Sequence, residues 1–223
     1  MNAPATVGRA RILPMGDAAV LVEHPDPLAL YRAARDSVDA GTAPAQIVDL
    51  VPAERTLLVR FAPEEGVAGR VGGWIGALRV APTATVRPAG VVIDVRYDGV
   101  DVADTAALLG VSIRQLVDWH TGADWSCAFV GFAPGFGYLV PDVGPRGEPL
   151  DVPRLDTPRT RVPAGSVALA GGYGGVYPRE SPGGWRLIGT TDAVLWDASR
   201  SAPALLVPGT RVRFRDIDGG SRR

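Results

Sequence analysis

The stretch SVALAGGYGGVYPRESPGGWRLIG, residues 166–189, decides how the second half of this chain is read. Ser166 to Ala170 and Trp185 to Gly189 are short apolar runs of strand length, separated by residues rich in glycine and proline. Short strands divided by turn residues are the pattern of a β-barrel or sandwich. The pattern extends outward, because Ser126 to Phe132, Val194 to Trp196 and Arg211 to Arg215 read as further strands and Val91 to Tyr97 opens this half with another. Between them the period becomes helical. One helix is expected over Asp101 to Leu109, ending at Gly110. A second begins at Ser112, with Gln115 three residues later as a capping box. Its apolar face is Ile113, Leu116 and Val117, and Gly122 is expected to stop it.

The first half has a different rhythm. Ala19 to Val22 reads as a strand, and Asp26-Pro27 suits a helix N-cap with proline at the first helical position. Leu30, Tyr31, Ala34 and Val38 recur at helical spacing. Gln46 to Val51 and Thr56 to Phe61 read as strands of a hairpin turned by Pro52-Ala53-Glu54-Arg55. Val67, Val71, Trp74, Ile75 and Leu78 stripe a second helix. The order β-β-α-β-β-α predicts a small sandwich with helices on one sheet face. The fold class is therefore α+β: an N-terminal α/β sandwich over 1–80, a linker at 81–90 marked by Pro82 and Pro88, and a barrel over 91–223. Asp216 to Arg223 is polar and expected to fray.

Composition removes several classes of function. Among 223 residues, 46% are hydrophobic and 21% charged, so a real core is available. A net charge of −1 leaves no electrostatic footprint for nucleic acid or an anionic membrane. Every basic residue is arginine, which fits a GC-rich genome and leaves individual guanidiniums open as anion ligands. The single cysteine, Cys127, excludes an internal disulfide and reads as a buried small hydrophobe. One cysteine with His24 and His120 makes no zinc-type cluster, so no metal is expected. Met1 to Arg11 lacks the apolar run of a secretory signal, and no membrane-spanning run occurs, so a cytoplasmic location is expected.

Three loops mix glycine, proline, aromatics and arginine. In Gly131 to Leu139, glycines allow close backbone approach to a ligand, and the rings of Phe136 and Tyr138 either wall a pocket or plug the barrel. In Thr157 to Ser166, Arg159 and Arg161 share one side if the segment is extended. They then either clamp a carboxylate or phosphate or make surface ion pairs of little worth. Residues 171–185 hold six glycines and two prolines, whose ordering is costly, yet Tyr173, Tyr177 and Trp185 argue against a flexible linker. Ser181 is placed to bond a ligand, with no histidine near it in sequence. His120, near a helix end, is either structural or a general base. Asp98 after Tyr97 most simply makes a turn.

In this order, Tyr97-Asp98-Gly99, His120, Gly131 to Leu139, Thr157 to Val167 and Ala170 to Gly189 closely resemble the family of bacterial 5-oxoprolinase B subunits. That family is also labelled allophanate hydrolase subunit 1 or kinase-inhibitor protein, a carboxyltransferase domain of subdomains C and D. The resemblance covers about the last 130 residues strongly, the span of one domain. Met15-Gly16-Asp17 carries it more loosely into the first half. It departs at Tyr173-Gly174, where the family often has Gln-Thr, at Thr190-Thr191-Asp192, where Arg-Thr-Pro is common, and at Gly137, often Pro.

The resemblance implies a small α+β domain followed by a cyclophilin-like β-barrel. It implies a homologous C subunit and an A subunit as partners, and ATP-dependent opening of 5-oxoproline to glutamate by the complex, with the ATP site on this or another chain. Allophanate or another small amide as substrate, and inhibition of a histidine kinase, are the alternatives it carries. Under the first reading, Arg159 and Arg161 recognise an anion, while Phe136, Tyr138, Tyr177 and Trp185 wall the pocket. Gly135 and Gly183 admit the backbone, and His120 and Ser181 are the catalytic candidates.

Overall fold

A computed structural model describes residues 10–80, 90–142, 144–145 and 147–219. The chain divides into two compact units, Met1–Val86 and Arg87–Arg223. The expected linker falls almost entirely on residues 81–89, and the far end of the expected frayed tail on 220–223; both lie outside the described residues. Among the described residues, no helix is long and apolar enough to cross a membrane.

The first unit is built from β1 (Arg11–Pro14), β2 (Ala19–Glu23), α1 (Pro27–Asp39), β3 (Ile47–Pro52), β4 (Thr56–Phe61) and α2 (Val67–Ala77). Its sheet is antiparallel in the order β1-β2-β4-β3. Asp26 caps α1 as expected, its carboxylate accepting from the Ala29 N–H at 2.9 Å, with Pro27 in the first turn. Val20, Val22, Leu57, Val59 and Phe61 alternate onto one face. There they bury Leu30 and Ala34 of α1 and Val67, Val71 and Ile75 of α2.

The second unit contains β5 (Val91–Val95), α3 (Val102–Leu108), α4 (Ile113–Gly122), β6 (Trp125–Val130), β7 (Gly137–Pro141), β8 (Arg159–Val162), β9 (Ser166–Ala170), β10 (Tyr173–Val176), β11 (Ser181–Gly183), β12 (Arg186–Thr190) and β13 (Arg211–Asp216). Seven strands form one sheet in the order β12-β9-β10-β7-β6-β13-β5, and β8 with β11 forms a separate ribbon. The two edges of the large sheet meet: Arg96 and Thr190 exchange backbone hydrogen bonds of 2.9 and 2.8 Å, which makes the sheet a nearly closed barrel. Two glycines permit this seam. A Cβ at Gly99 would overlap the backbone of Leu187 and Ile188, and one at Gly189 would overlap the Arg96 carbonyl. The fold class is α+β with a barrel-like sheet.

Several local expectations change. Val194 to Trp196 is not a strand; Trp196 only forms an isolated bridge with Ala204. Tyr173 to Val176, expected as loop, is β10. Its glycines make room for rings on both faces, since a Cβ at Gly174 would lie 2.8 Å from the Trp125 ring and one at Gly175 2.9 Å from Phe136. The capping box of α4 is present, but Ile113 is exposed and His120 takes the buried position in the face of Leu116 and Val117. Gly122 is the last helical residue, with an extended Ala123 as C-cap.

If the seam depends on those glycines, Gly99→Ala will cost about 1–3 kcal/mol through overpacking. Gly76→Ala, in α2 with open space around it, will gain about 0.5–1 kcal/mol by lowering unfolded-chain entropy. Denaturant titration followed by circular dichroism measures both, and a Gly99→Ala protein as stable as wild type would remove the seam's special role.

Candidate active site

The three loops singled out in the sequence converge. The first joins β6 to β7 as a tight turn, in which the Phe136 N–H donates to the Ala133 carbonyl at 2.9 Å and Gly135 sits at φ +84°. A Cβ at Gly135 would come within 2.8 Å of the Trp196 Cβ, so glycine is required both for conformation and for approach. The second and third loops pair as the β8–β11 ribbon, which sets Gly183 opposite Arg159 and Ser181 opposite Val162.

Together they enclose an aromatic cluster. Phe136, Val162, Ala168, Ala170, Tyr177, Trp185 and Leu187 are buried against one another. Strand β9 separates this cluster from the main core: Val167 and Leu169 point to the core, Ala168 and Ala170 to the cluster. The Phe136 ring meets Tyr177, Trp185 and Tyr138 edge to face, at centroid distances of 5.5, 5.3 and 5.1 Å. Phe136, Tyr177 and Trp185 therefore act as a plug rather than an open wall. Tyr138 is different: half-buried, it stacks on Phe129 at 4.3 Å, with Tyr173 edge-on to both, and offers a partly exposed aromatic platform. The Tyr177 hydroxyl lies against Gly183, where no Cβ would fit, and burial raises its pKa above the usual tyrosine value.

The two arginines of β8 part company. Arg159 donates from Nη2 to Asp101 at 2.6 Å, with side-chain exposures of 28% and 8%. The other carboxylate oxygen of Asp101 accepts the Leu187 N–H at 2.7 Å. Arg161 is 75% exposed and pairs with Glu180 at 2.6 Å. An exposed pair of that kind contributes about 0–1 kcal/mol. The expected clamp of two adjacent guanidiniums is thus not assembled: each already has its own carboxylate. Ser181 Oγ donates to the Arg179 carbonyl at 3.2 Å.

His120 is not brought to the loops. It is fully buried in the main core, sharing a 2.7 Å hydrogen bond between Nδ1 and the Tyr97 hydroxyl, with its ring 4.2 Å from that of Phe214. Its Nε2 is buried without a partner, and burial lowers its pKa to about 3. A ring so enclosed stays neutral and has no path to a substrate at the loops. Cys127 is likewise inert, burial pushing its thiol up to about 12. A groove of about 190 Å³ lies elsewhere, lined by Val91, Val92, Arg211 and Arg213, and contains none of the expected residues.

The chain matches the carboxyltransferase domain, subdomain C and D, over residues 10–206. It is 36% identical over 220 residues to the 5-oxoprolinase B subunit of Escherichia coli O157:H7, covering 92% of this chain and 95% of that protein. The chain belongs to the 5-oxoprolinase B-subunit family. The crystal structure of TTHA0988 matches with 36% identity and a TM-score of 0.69 over 93% of this chain, which spans only 40% of that longer one. K. lactis urea amidolyase matches at a TM-score of 0.73 and 18% identity over 93% of this chain and 15% of its own, and shares the fold.

At one departure from the family pattern, Thr190 to Asp192, the residues present serve the seam. Thr190 donates its hydroxyl to Asp98 at 2.9 Å, and Asp192 pairs with Arg96 at 3.1 Å. Sequence reasoning missed Asp101, which figures there only as the start of a helix. Nothing in its spacing distinguishes an N-cap from an ion-pair partner 58 residues away.

The depressed His120 pKa fixes a sign. The unfolded chain takes up the proton below the ordinary value of 6.5 while the folded chain resists until about 3. Stability contributed by the neutral ring is complete above pH 6.5 and is lost as pH falls toward 3, by on the order of a few kcal/mol. Chemical denaturation across this window should show a shallower slope of stability against pH for His120→Leu than for wild type; equal slopes would rule out His120 as the source.

Proposed function

We propose that this chain is the B subunit of an ATP-dependent 5-oxoprolinase that opens 5-oxoproline to glutamate together with C and A subunits. The observation that carries the reading is the end-to-end likeness to a protein named as the B subunit of 5-oxoprolinase, 36% identical over 92% of this chain. The convergence of the three loops on one aromatic cluster supports it. The multi-subunit part is supported by the naming of that relative as a B subunit; TTHA0988 is a longer chain of which the matching part accounts for 40%.

A lactam resists hydrolysis; phosphorylation of its carbonyl oxygen by ATP makes the carbonyl carbon electrophilic enough for water to add. The ring C–N bond then breaks, the nitrogen leaves as the amine, and the phosphoryl group is released as phosphate. The ATP site lies on this chain or on a partner, and this sequence carries no P-loop motif. The residues of this chain fit substrate recognition. Arg159, half-buried and held by Asp101, is a preorganised donor for the substrate carboxylate. The Tyr138 platform offers a flat apolar surface to a small ring. Gly183 of the ribbon lies opposite Arg159. His120 is buried away from the loops and Ser181 bonds the Arg179 carbonyl, so neither is assigned as nucleophile, and water activation is assigned to the complex.

Reconstitution with A and C subunits tests this. Glutamate release from 5-oxoproline should require ATP and all three, and should vanish when this chain is omitted. Turnover by this chain alone would overturn the multi-subunit reading. A well-formed complex inactive on 5-oxoproline but active on allophanate would replace the substrate.

A further inference from the structure

A segment outside the β8 strand is tied to the third loop. The segment Val152 to Leu155 is fixed at both ends: Val152 and Gly171 exchange backbone hydrogen bonds of 2.9 and 2.6 Å, and the Leu155 N–H donates to the Gly184 carbonyl at 2.8 Å. Between them the Pro153 carbonyl accepts from Arg186 Nε at 2.8 Å. This holds the backbone of Arg154 beside the third loop, next to the residue that precedes Trp185. Arg159 Nη1 lies 3.5 Å from the carbonyl of Trp185, the residue after Gly184. The buried Tyr177 hydroxyl feels the positive charge of both Arg154 and Arg159.

The charges differ in a useful way. Arg159 is offset by Asp101 and Arg161 by Glu180, but among the described residues Arg154 is exposed and has no carboxylate within ion-pairing distance. Arg154, Arg159 and Asp101 together carry one net positive charge. That matches a single carboxylate, and the half-buried ring of Tyr138, its centroid 5.7 Å from that of Trp185, supplies an apolar neighbour for the body of such a ligand.

We propose that Arg154 and Arg159, not Arg159 and Arg161, form the guanidinium pair that binds the carboxylate of a small cyclic amide, with Asp101 as the positioning residue that aims Arg159. Asp101 never touches the ligand; its two oxygens are taken by Arg159 and the Leu187 N–H. This rests on the reading of the chain as part of a lactam hydrolase and names the part of the ligand it would hold.

The test uses the full chain and sodium 5-oxoproline as probe, with sodium chloride of equal ionic strength as control, followed by the arginine Nε–H resonances in ¹⁵N NMR. The Arg154 and Arg159 signals should shift saturably and the Arg161 signal should not. Arg154→Gln and Arg159→Gln should each weaken binding about tenfold, the loss of one charge-assisted bond. Arg161→Gln should bind as wild type. Asp101→Asn should weaken binding and add nothing in an Arg159→Gln background, whereas additive losses would show that Asp101 acts on the fold and not through Arg159. Arg154 and Arg159 signals that stay still, or Arg161→Gln costing as much as Arg154→Gln, would overturn the pair. The reaction reading fails separately: saturable binding here with an inactive reconstituted complex would keep the site and lose the oxoprolinase. An active complex whose KM for 5-oxoproline ignores Arg154→Gln would keep the enzyme and lose the site.

Discussion

One buried carboxylate ties the candidate site to the barrel. Asp101 stands at the start of α3, bonds Leu187 of β12 through both its backbone N–H, at 2.9 Å, and its side chain, at 2.7 Å, and holds Arg159 of β8 at 2.6 Å. A carboxylate at 6% exposure is tolerated only because these partners replace its water. Removing one partner of such a pair leaves a buried charge uncompensated, at a cost of about 3–5 kcal/mol. The ribbon that carries the functional loops is therefore fixed to the barrel by an interaction that cannot be weakened piecemeal.

Asp101 closes a short turn that also makes the seam. Within six residues, Arg96 bridges to Thr190, Asp98 accepts the Thr190 hydroxyl, Gly99 lies against the backbone of Leu187 and Ile188, and Asp101 grips Leu187. Barrel closure and placement of Arg159 are consequences of one turn. Below it, the Tyr97–His120 pair fills the core with a neutral polar contact, packed by Trp125 and Phe214. Tyr97-Asp98-Gly99 and His120 thus sit at the structural foundation, and the candidate chemistry sits a sheet layer away.

Much of this is legible in the sequence where local physics dominates. The Asp26-Pro27 start of α1, the Ser112–Gln115 capping box and the apolar runs of β4 and β9 follow from residue type and spacing alone, and all are present. Legibility fails where a residue answers to distant neighbours. Gly174 and Gly175 look like loop, but are strand because Trp125 and Phe136 occupy the space their side chains would need. Val194 to Trp196 looks like strand, yet pairs only at Trp196. The two-residue spacing of Arg159 and Arg161 is real, but their carboxylates, Asp101 and Glu180, come from opposite directions in sequence and separate them. Arg154 carries no motif at all; only the bridge of Val152 to Gly171 and the bond of Leu155 to Gly184 reveal where it lies.

A second arginine-lined place offers a natural comparison. In the groove beside β5 and β13, Arg211 and Arg213 both face Asp124, at 3.8 and 2.8 Å, so both guanidiniums are engaged by one carboxylate. The loop site differs in having an aromatic platform and, among the described residues, an arginine, Arg154, with no carboxylate paired to it. The most direct measurement is a crystal structure of the assembled complex with 5-oxoproline bound. The expected result is the ligand carboxylate on Arg159, within the ribbon and β6–β7 loop of this chain. Ligand density in the Arg211–Arg213 groove, or wholly on partner chains, would contradict it.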